Sequence, residues 1–234
     1  MHIPSGFLEP QVWIPMTCIS AAGVGYALKK SGDFVDERKT PVMGVMAAFI
    51  FAAQMVNFPV FSGTSGHLMG AALATAILGM WPAMVVMTSV VLVQALLFQD
   101  GGLDTLGANV FNMCILGCVL SGMIIGIGTK FGKRAFYPSV ALASWLSVVG
   151  ASAVCAVQLW LSGTSPIQVV LPAMVAVHAV IGAFEAFITI VSIKFIVSVN
   201  PKIIQIFSEI AENTEDVDNA DNNENAELSE KVGE

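Results

Sequence analysis

The chain has 234 residues, of which 56% are hydrophobic and only 12% are charged, and its mean hydropathy is +0.78. Soluble domains carry about 25% charged residues, so this composition excludes an ordinary soluble protein and predicts an all-α, polytopic membrane protein. The formal net charge of −7 is uneven, because ten acidic residues and a single lysine lie from Glu209 onward.

The chain begins with a possible metal chelate, Met1-His2-Ile3-Pro4-Ser5-Gly6. The Met1 amine and the His2 amide nitrogen can close a five-membered ring on a metal ion, and the His2 amide and imidazole Nδ1 a six-membered one. These nitrogens leave one place open in a square-planar site. Pro4 keeps the terminus extended, because it disfavours a helical Ile3. On these residues alone, an incidental histidine at the chain start is the simpler interpretation.

Hydropathy predicts seven membrane spans along the chain. They cover roughly residues 11–28, 41–57, 67–80, 82–98, 105–128, 137–161 and 168–199. The third span is short: it begins at His67 after a Gly-rich turn and ends at a Gly79-Met80-Trp81-Pro82 corner. No basic region precedes the first span, so we expect no cleaved signal peptide.

The charges of the connectors predict the orientation. Basic residues follow the first, fifth and seventh spans, whereas the connectors 57–66, 99–104 and 162–166 contain none. All basic residues therefore lie on one side if the N-terminus is outside and the C-terminus is cytoplasmic. This arrangement requires an odd number of spans, in agreement with seven. It also places His2 and His67 together on the outer side.

The end of the chain has a different composition from the rest. We expect residues 1–208 to form the membrane domain and residues 209–234 to be a disordered acidic cytoplasmic tail, because the tail has too few apolar groups to fold. The cysteines Cys18, Cys114, Cys118 and Cys155 all lie in apolar runs without zinc-site spacing. Small packing residues are the expected role for them.

Polar residues in or beside apolar spans are the remaining candidates for a site, since burying them is costly. Those near the predicted outer side are Asn57, Thr64, Ser65, Gln94, Asn109 and Asn112. They either orient metal ligands or satisfy one another as interhelical hydrogen bonds. His178 and Glu185 lie on one face of the seventh span, about 10 Å apart along the helix axis. That separation is too long for one ion, so we expect a hydrogen-bonded structural pair or a support for the outer site.

No catalytic constellation is present in the sequence. There is no His-Glu-x-x-His motif and no phosphate-binding loop, so we expect a non-enzyme whose ATP-driven work, if any, is done by another subunit. The alternative to a component driven by such a subunit is a stand-alone secondary transporter or channel for divalent metals. A membrane metalloenzyme is a further one, disfavoured because no acid or base accompanies His2 and His67.

Several segments, taken in order, resemble one family. They are Met1 to Leu8, Asn57 to Gly70, Gln94 to Leu103, Leu106 to Met113 and His178 to Glu185. Together they resemble the CbiM/NikM family, the substrate-binding membrane components of energy-coupling factor transporters for cobalt and nickel. Within these segments, Gln99 replaces a glycine that is common in the family.

The resemblance implies a seven-helix component of a prokaryotic plasma membrane, with its N-terminus folded into the bundle from outside. It implies that the transported Co²⁺ or Ni²⁺ is held by the Met1 amine, the His2 amide and imidazole, and His67, with no cofactor. The implied partners are a transmembrane coupling subunit, cytoplasmic ATPases, a small accessory membrane subunit and the membrane lipid. We expect no nucleic-acid partner. Four nitrogen donors suit Ni²⁺ or Cu²⁺, can serve Co²⁺ and disfavour Mg²⁺ and Ca²⁺, and loss of the amide proton predicts an affinity that falls in acid.

Overall fold

A computed structural model describes residues 1–32, 39–60, 64–200 and 204, and the described part is mainly helical. Its helices are α1 (Pro10–Ser31), α2 (Lys39–Gln54), α3 (Ala71–Leu78), α4 (Met80–Leu97), α5 (Leu106–Thr129), α6 (Lys133–Leu161) and α7 (Ile167–Val199). Helix α5 contains a π-helical turn, Phe111–Leu116. An inserted residue of this kind is often found near functional sites.

The described residues therefore contain seven helices, one at each predicted span. Four of them, α4 to α7, are long and apolar enough to cross a membrane. Helix α2 is apolar but shorter, and α3 has only eight residues. In the described residues, four helices thus have the length and hydropathy of a full membrane span.

The prediction that a helix begins at His67 is wrong. Strand β1 (Asn57–Val60) pairs with strand β2 (Thr64–His67) in an antiparallel hairpin, and Asn57 lies opposite His67. Helix α3 starts only at Ala71, after Gly70 in a left-handed conformation. The described chain is therefore helical with one small hairpin, and the predicted second span ends three residues early, at Gln54.

Local chemistry explains where the helices begin and end. Pro10 opens α1, where its missing N–H is not needed. Gly79 and Gly132 separate consecutive helices with φ angles of 82° and 83°. These are left-handed conformations that glycine adopts at little cost, so the chain reverses sharply between α3 and α4 and between α5 and α6.

Two compact units divide the chain, Met1–Val191 and Ser192–Glu234. In the first unit, α5 packs against α6 and α3, while α4 contacts α1, α2 and α3. The second unit contains the last residues of α7. The predicted acidic tail, residues 209–234, lies outside the described residues, as does the turn at 61–63.

Candidate metal-binding site

The N-terminal residues lie in the interior of the first unit. Met1 and Ile3 are completely buried and His2 is 2% exposed. The Met1 amine donates hydrogen bonds to the main-chain oxygen and to Oγ of Ser65, on strand β2. The chain terminus is therefore attached to the same hairpin that carries His67.

The main chain of Ile3 is held from both sides. Its N–H donates to Oδ1 of Asn109 at 2.8 Å, and its carbonyl accepts from Nδ2 of the same side chain at 3.1 Å. The Thr105 hydroxyl and the Gly102 N–H also donate to this carbonyl, at 2.6 and 2.9 Å. A Cβ on Gly102 would collide with the main chain of Ser5, so only glycine permits the close approach.

The His2 imidazole contacts the Gln94 side chain at one ring nitrogen and lies near a carboxylate at the other. Nε2 lies 3.1 Å from Oε1 of Gln94, and Nδ1 lies 3.4 Å from Oδ1 of Asp100. The ring stacks on that of His67, with centroids 4.7 Å apart and planes inclined by 28°. The histidines from the chain start and from the hairpin are thus brought into direct contact.

The two imidazoles have nitrogens available for a metal ion. His67 Nδ1 lies 2.7 Å from the Leu68 carbonyl, an acceptor, so it carries the hydrogen. His67 Nε2 then has a lone pair, and it is buried without a hydrogen-bond partner in the described structure. A carbonyl that fixes one imidazole nitrogen while the other faces a metal is the usual arrangement at metal sites.

Burial keeps these nitrogens uncharged. It lowers the pKa of the Met1 amine to about 5, although Cys155 and Asp100 oppose the shift. It also lowers the pKa of His2 to about 3 and that of His67 well below its usual value, and the charge of the Met1 amine adds to both shifts. Amine and imidazoles are therefore neutral near pH 7, the form in which they bind metals.

Glu185 of α7 supports the segment that follows His67. Its carboxylate accepts hydrogen bonds from the N–H groups of Met69 and Gly70, the latter at 2.9 Å. The Gln54 side chain donates to the Met69 carbonyl at 2.7 Å. His178 does not pair with Glu185: its Nδ1 lies 2.8 Å from the carbonyl of the residue four positions earlier. The structure therefore places Glu185 against the segment that follows His67 and not against His178.

The other candidates named from the sequence have separate positions. Asn57 lies 3.4 Å from the Asp100 carboxylate, at the edge of the site. Asn112 forms two hydrogen bonds with Gln158 of α6, which is the interhelical alternative. The side chain of Thr64 lies outside the described part of the structure.

Sequence reasoning missed three residues of the loop between α4 and α5. Asp100 contacts His2, Asp104 accepts from the Gly6 N–H at 3.0 Å, and Thr105 binds the Ile3 carbonyl. Two of them are acidic residues in a connector, where a solvated carboxylate is the ordinary expectation. For Asp100, the position inside the family-like segment Gln94 to Leu103 was the available signal, whereas Asp104 and Thr105 lie between two such segments.

Among the residues that the structure describes, no group of three or more His, Cys, Asp and Glu side chains could hold a metal ion. The Met1 amine is bonded to Ser65, and the His2 amide belongs to the residue whose imidazole stacks on His67.

Comparisons with known proteins agree on one family. The sequence profile of CbiM, described as the cobalt uptake substrate-specific transmembrane region, matches residues 2–203. The chain is 32% identical over 196 residues to the cobalt transport protein CbiM of Acetoanaerobium sticklandii, covering 82% of this chain and 76% of that one. It is 29% identical over 222 residues to the fused nickel transport protein NikMN of Rhodobacter capsulatus, covering 87% of this chain and 64% of that one.

The fold also resembles that of a solved protein. The crystal structure of a truncated transition metal transporter superposes with a TM-score of 0.79 at 31% identity, covering 85% of this chain and 99% of that one. Similarity in fold and in sequence thus each extends over more than four fifths of the chain.

We expect Glu185→Gln to destabilise the protein. The substitution replaces one acceptor oxygen by an NH₂ group that faces a main-chain N–H, and a buried donor left without a partner costs about 1–3 kcal/mol. The apparent melting temperature in detergent should fall, and Ni²⁺ affinity with it, because His67 lies next to the released segment. Phe187→Leu, at a position 68% exposed on the same helix, is the control and should change neither. Unchanged melting and affinity in Glu185→Gln would show that this carboxylate does not support the hairpin.

Proposed function

The chain belongs to the CbiM family of cobalt-uptake substrate-specific transmembrane regions, and we propose that it binds Co²⁺ or Ni²⁺ for an ATP-driven energy-coupling factor importer. It is a membrane protein of cobalt and nickel transport. The finer proposal concerns its site, its partners and its orientation in the plasma membrane of a prokaryote.

One observation carries the proposal: the buried start of the chain lies against His67. The His2 and His67 rings are 4.7 Å apart and stacked, and the Met1 amine is bonded to Ser65, two residues before His67. We propose that the Met1 amine, the His2 amide and Nδ1, and His67 Nε2 hold the ion. This nitrogen set suits planar Ni²⁺ and also serves Co²⁺.

The chain's own groups would act on the ion in a defined way. Neutral amine and imidazole nitrogens bind without releasing a proton, whereas the His2 amide must lose its proton to become a ligand. The Gln94 oxygen contacts His2 Nε2, and the Leu68 carbonyl contacts His67 Nδ1. Each imidazole is thus held by the nitrogen that would not bind the ion. Such fixed rings lower the entropy lost when the ion binds.

Energy for transport is assigned to partner subunits, because the chain has no phosphate-binding loop. The proposed partners are a transmembrane coupling subunit, cytoplasmic ATPases and a small accessory membrane subunit. The alternative is a stand-alone secondary divalent-metal transporter or channel. A path for hydrated ions would need charged groups through the membrane, and Glu185 is instead bonded to main-chain N–H groups.

We propose seven crossings with the N-terminus outside. Hydrogen bonds support this orientation by bringing the connectors without basic residues to the chain start: Thr164 donates to the Phe7 carbonyl, Gly102 to the Ile3 carbonyl, and the Met1 amine to Ser65. Basic residues avoid the outer side of membrane proteins. The site would then receive its ion from outside the cell.

We expect the purified chain to bind one Ni²⁺ or Co²⁺ and to lose this binding when a ligand is removed. A Gly-Ser extension before Met1 converts the amine into an amide, and His67→Ala removes an imidazole. Each change should weaken binding at least about 100-fold, since even residues that merely orient ligands are worth 10–100-fold. Titration calorimetry with each ion measures the effect.

Two controls keep this test specific. The same Gly-Ser extension after Glu234 should leave binding unchanged, as should Phe187→Leu, at an exposed position of α7. Tight binding that survives both the N-terminal extension and His67→Ala would refute the assigned site.

Labelling of single cysteines should report the orientation. In a Cys18→Ser background, a cysteine at Leu103 should react with a membrane-impermeant maleimide on intact cells, because this residue is 61% exposed in an outer connector. A cysteine at Phe131, 77% exposed in a basic connector, should react only after permeabilisation. The opposite pattern would reverse the proposed topology.

Uptake should require ATP and the partner subunits. We expect vesicles containing this chain alone to bind radioactive Co²⁺ without accumulating it, and vesicles with the coupling and ATPase subunits to accumulate it when ATP is supplied. A Walker lysine variant of the ATPase serves as the inactive control. Accumulation by the chain alone in ATP-depleted vesicles would favour the secondary transporter.

A further inference from the structure

Helices α1 and α2 follow each other in the chain, yet in the described structure they have little or no contact with one another. Both pack instead against α4. Elsewhere α4 is covered by α3 and α5, and α5 also contacts α1. Consecutive elements are usually neighbours in space, so the separation of α1 and α2 needs a physical reason. It leaves one side of α4 open as a groove between the two helices.

The open side of α4 is an apolar stripe. Residues on one helix face recur every three or four positions, and five residues of α4 follow this spacing: Trp81, Val85, Ser89, Leu92 and Leu96. The first two are partly exposed and the last three are exposed. The Ser89 hydroxyl donates to a carbonyl of its own helix at 2.7 Å, so its hydrogen is already used. The groove therefore has an apolar floor.

The length of the stripe suits a lipid chain. At 1.5 Å per residue, the fifteen steps from Trp81 to Leu96 cover about 22 Å. One leaflet of a bilayer has about half of the 30 Å hydrocarbon core, roughly 15 Å. An acyl chain of one leaflet can thus lie along the stripe over its full length.

One end of the stripe has an aromatic pair with a cation beside it. The ring of Trp81 contacts that of Tyr26 on α1 edge to face, with centroids 5.1 Å apart and planes inclined by 78°. Nζ of Lys30, one turn further along α1, lies 5.8 Å from the centroid of the Tyr26 ring. Trp and Tyr are enriched where a membrane meets water. This end of the groove therefore has the chemistry of a headgroup region.

The charge at this end is positive. Lys29 and Lys30 are both exposed and lie in the last turn of α1. Among the described residues of α1 and the segment before it, Glu9 is the acidic one, and it lies at the opposite end of the helix. Lysines at the end of a membrane helix attract anionic lipids. A cationic end and an apolar floor together fit a phosphate group that carries acyl chains.

We propose that one anionic phospholipid occupies the groove between α1 and α2, with an acyl chain along the α4 stripe and its phosphate at Lys29 and Lys30. The inference goes beyond the proposed function, since it uses neither the metal ligands nor the partner subunits. The lipid covers the side of α4 that the described helices leave open. With the N-terminus outside, its headgroup lies in the cytoplasmic leaflet.

Native mass spectrometry of the purified chain tests the headgroup contact. The detergent-solubilised protein is titrated with phosphatidylglycerol or with phosphatidylcholine, and the lipids retained by each molecule are counted. The unchanged protein should retain one phosphatidylglycerol in preference to phosphatidylcholine. Lys30→Gln should weaken phosphatidylglycerol binding about fivefold, the effect of one lysine near a phosphate. Lys130→Gln, which removes a lysine from the connector between α5 and α6, is the matched control and should have no effect.

A second pair of variants tests the acyl chain. Leu92→Trp places a larger side chain on the floor of the groove without changing the charge, and it should weaken binding of phosphatidylglycerol. Leu142→Trp makes the same change at an exposed position of α6 and should leave binding as it is. Because the lysine variants alter an exposed side chain, their result stands even if Leu92→Trp does not fold.

Three outcomes would overturn the inference. The first is equal retention of the two lipids, and the second is equal binding of phosphatidylglycerol by Lys30→Gln and Lys130→Gln. The third is a lipid-free dimer, in which a second copy covers the groove. Ni²⁺ affinity should be the same in Lys30→Gln as in the unchanged protein, because Lys30 lies at the end of α1 remote from the chain start. Loss of lipid binding and loss of metal binding are therefore separate results.

Discussion

The paired hydrogen bonds between the Asn109 side chain and the main chain of Ile3 are the interaction on which the site depends. A buried extended segment has N–H and C=O groups that need partners, and three residues cannot form a helix or a sheet to supply them. Asn109 acts as a neighbouring strand would, accepting from the N–H and donating to the carbonyl. Because Ile3 is fixed, Met1 and His2 have little freedom left.

A second support reaches the site from the opposite side. The Glu185 carboxylate holds Met69 and Gly70, just beyond His67, through main-chain N–H groups. The site is therefore the junction of two independently held segments, and the stacked imidazoles are where they meet. Helix α7, which provides Glu185, has the least buried apolar stretch of the four long helices, 28% against 56% for α4. The hairpin is thus bonded to a helix whose surface is largely free for lipid or protein.

The sequence predicted the helices well because apolar runs and glycine corners are local features. The predicted spans 82–98 and 168–199 lie within two residues of α4 and α7 at each end. The hairpin was missed because its strands have four residues each and one contains Pro59, too short for a period-two pattern. Of the candidate site, His2 was predicted from the possible chelate at the chain start, the connector charges placed it on the same side as His67, and the family resemblance implied both as ligands. Gln94 was named among several amides. The Asp100 contact joins a loop to the chain start, and the partners of Glu185 are main-chain groups, so no residue pattern specifies either.

Burial of the N-terminus lowers the stability of the fold, and it also leaves the candidate metal ligands uncharged. A free amine has a pKa near 8.0 and is mostly protonated at pH 7, so a metal would first have to displace a proton; the buried Met1 amine, with a pKa of about 5, is already neutral. The same burial that destabilises the charged amine removes this competition, and it does so for His2 and His67 as well.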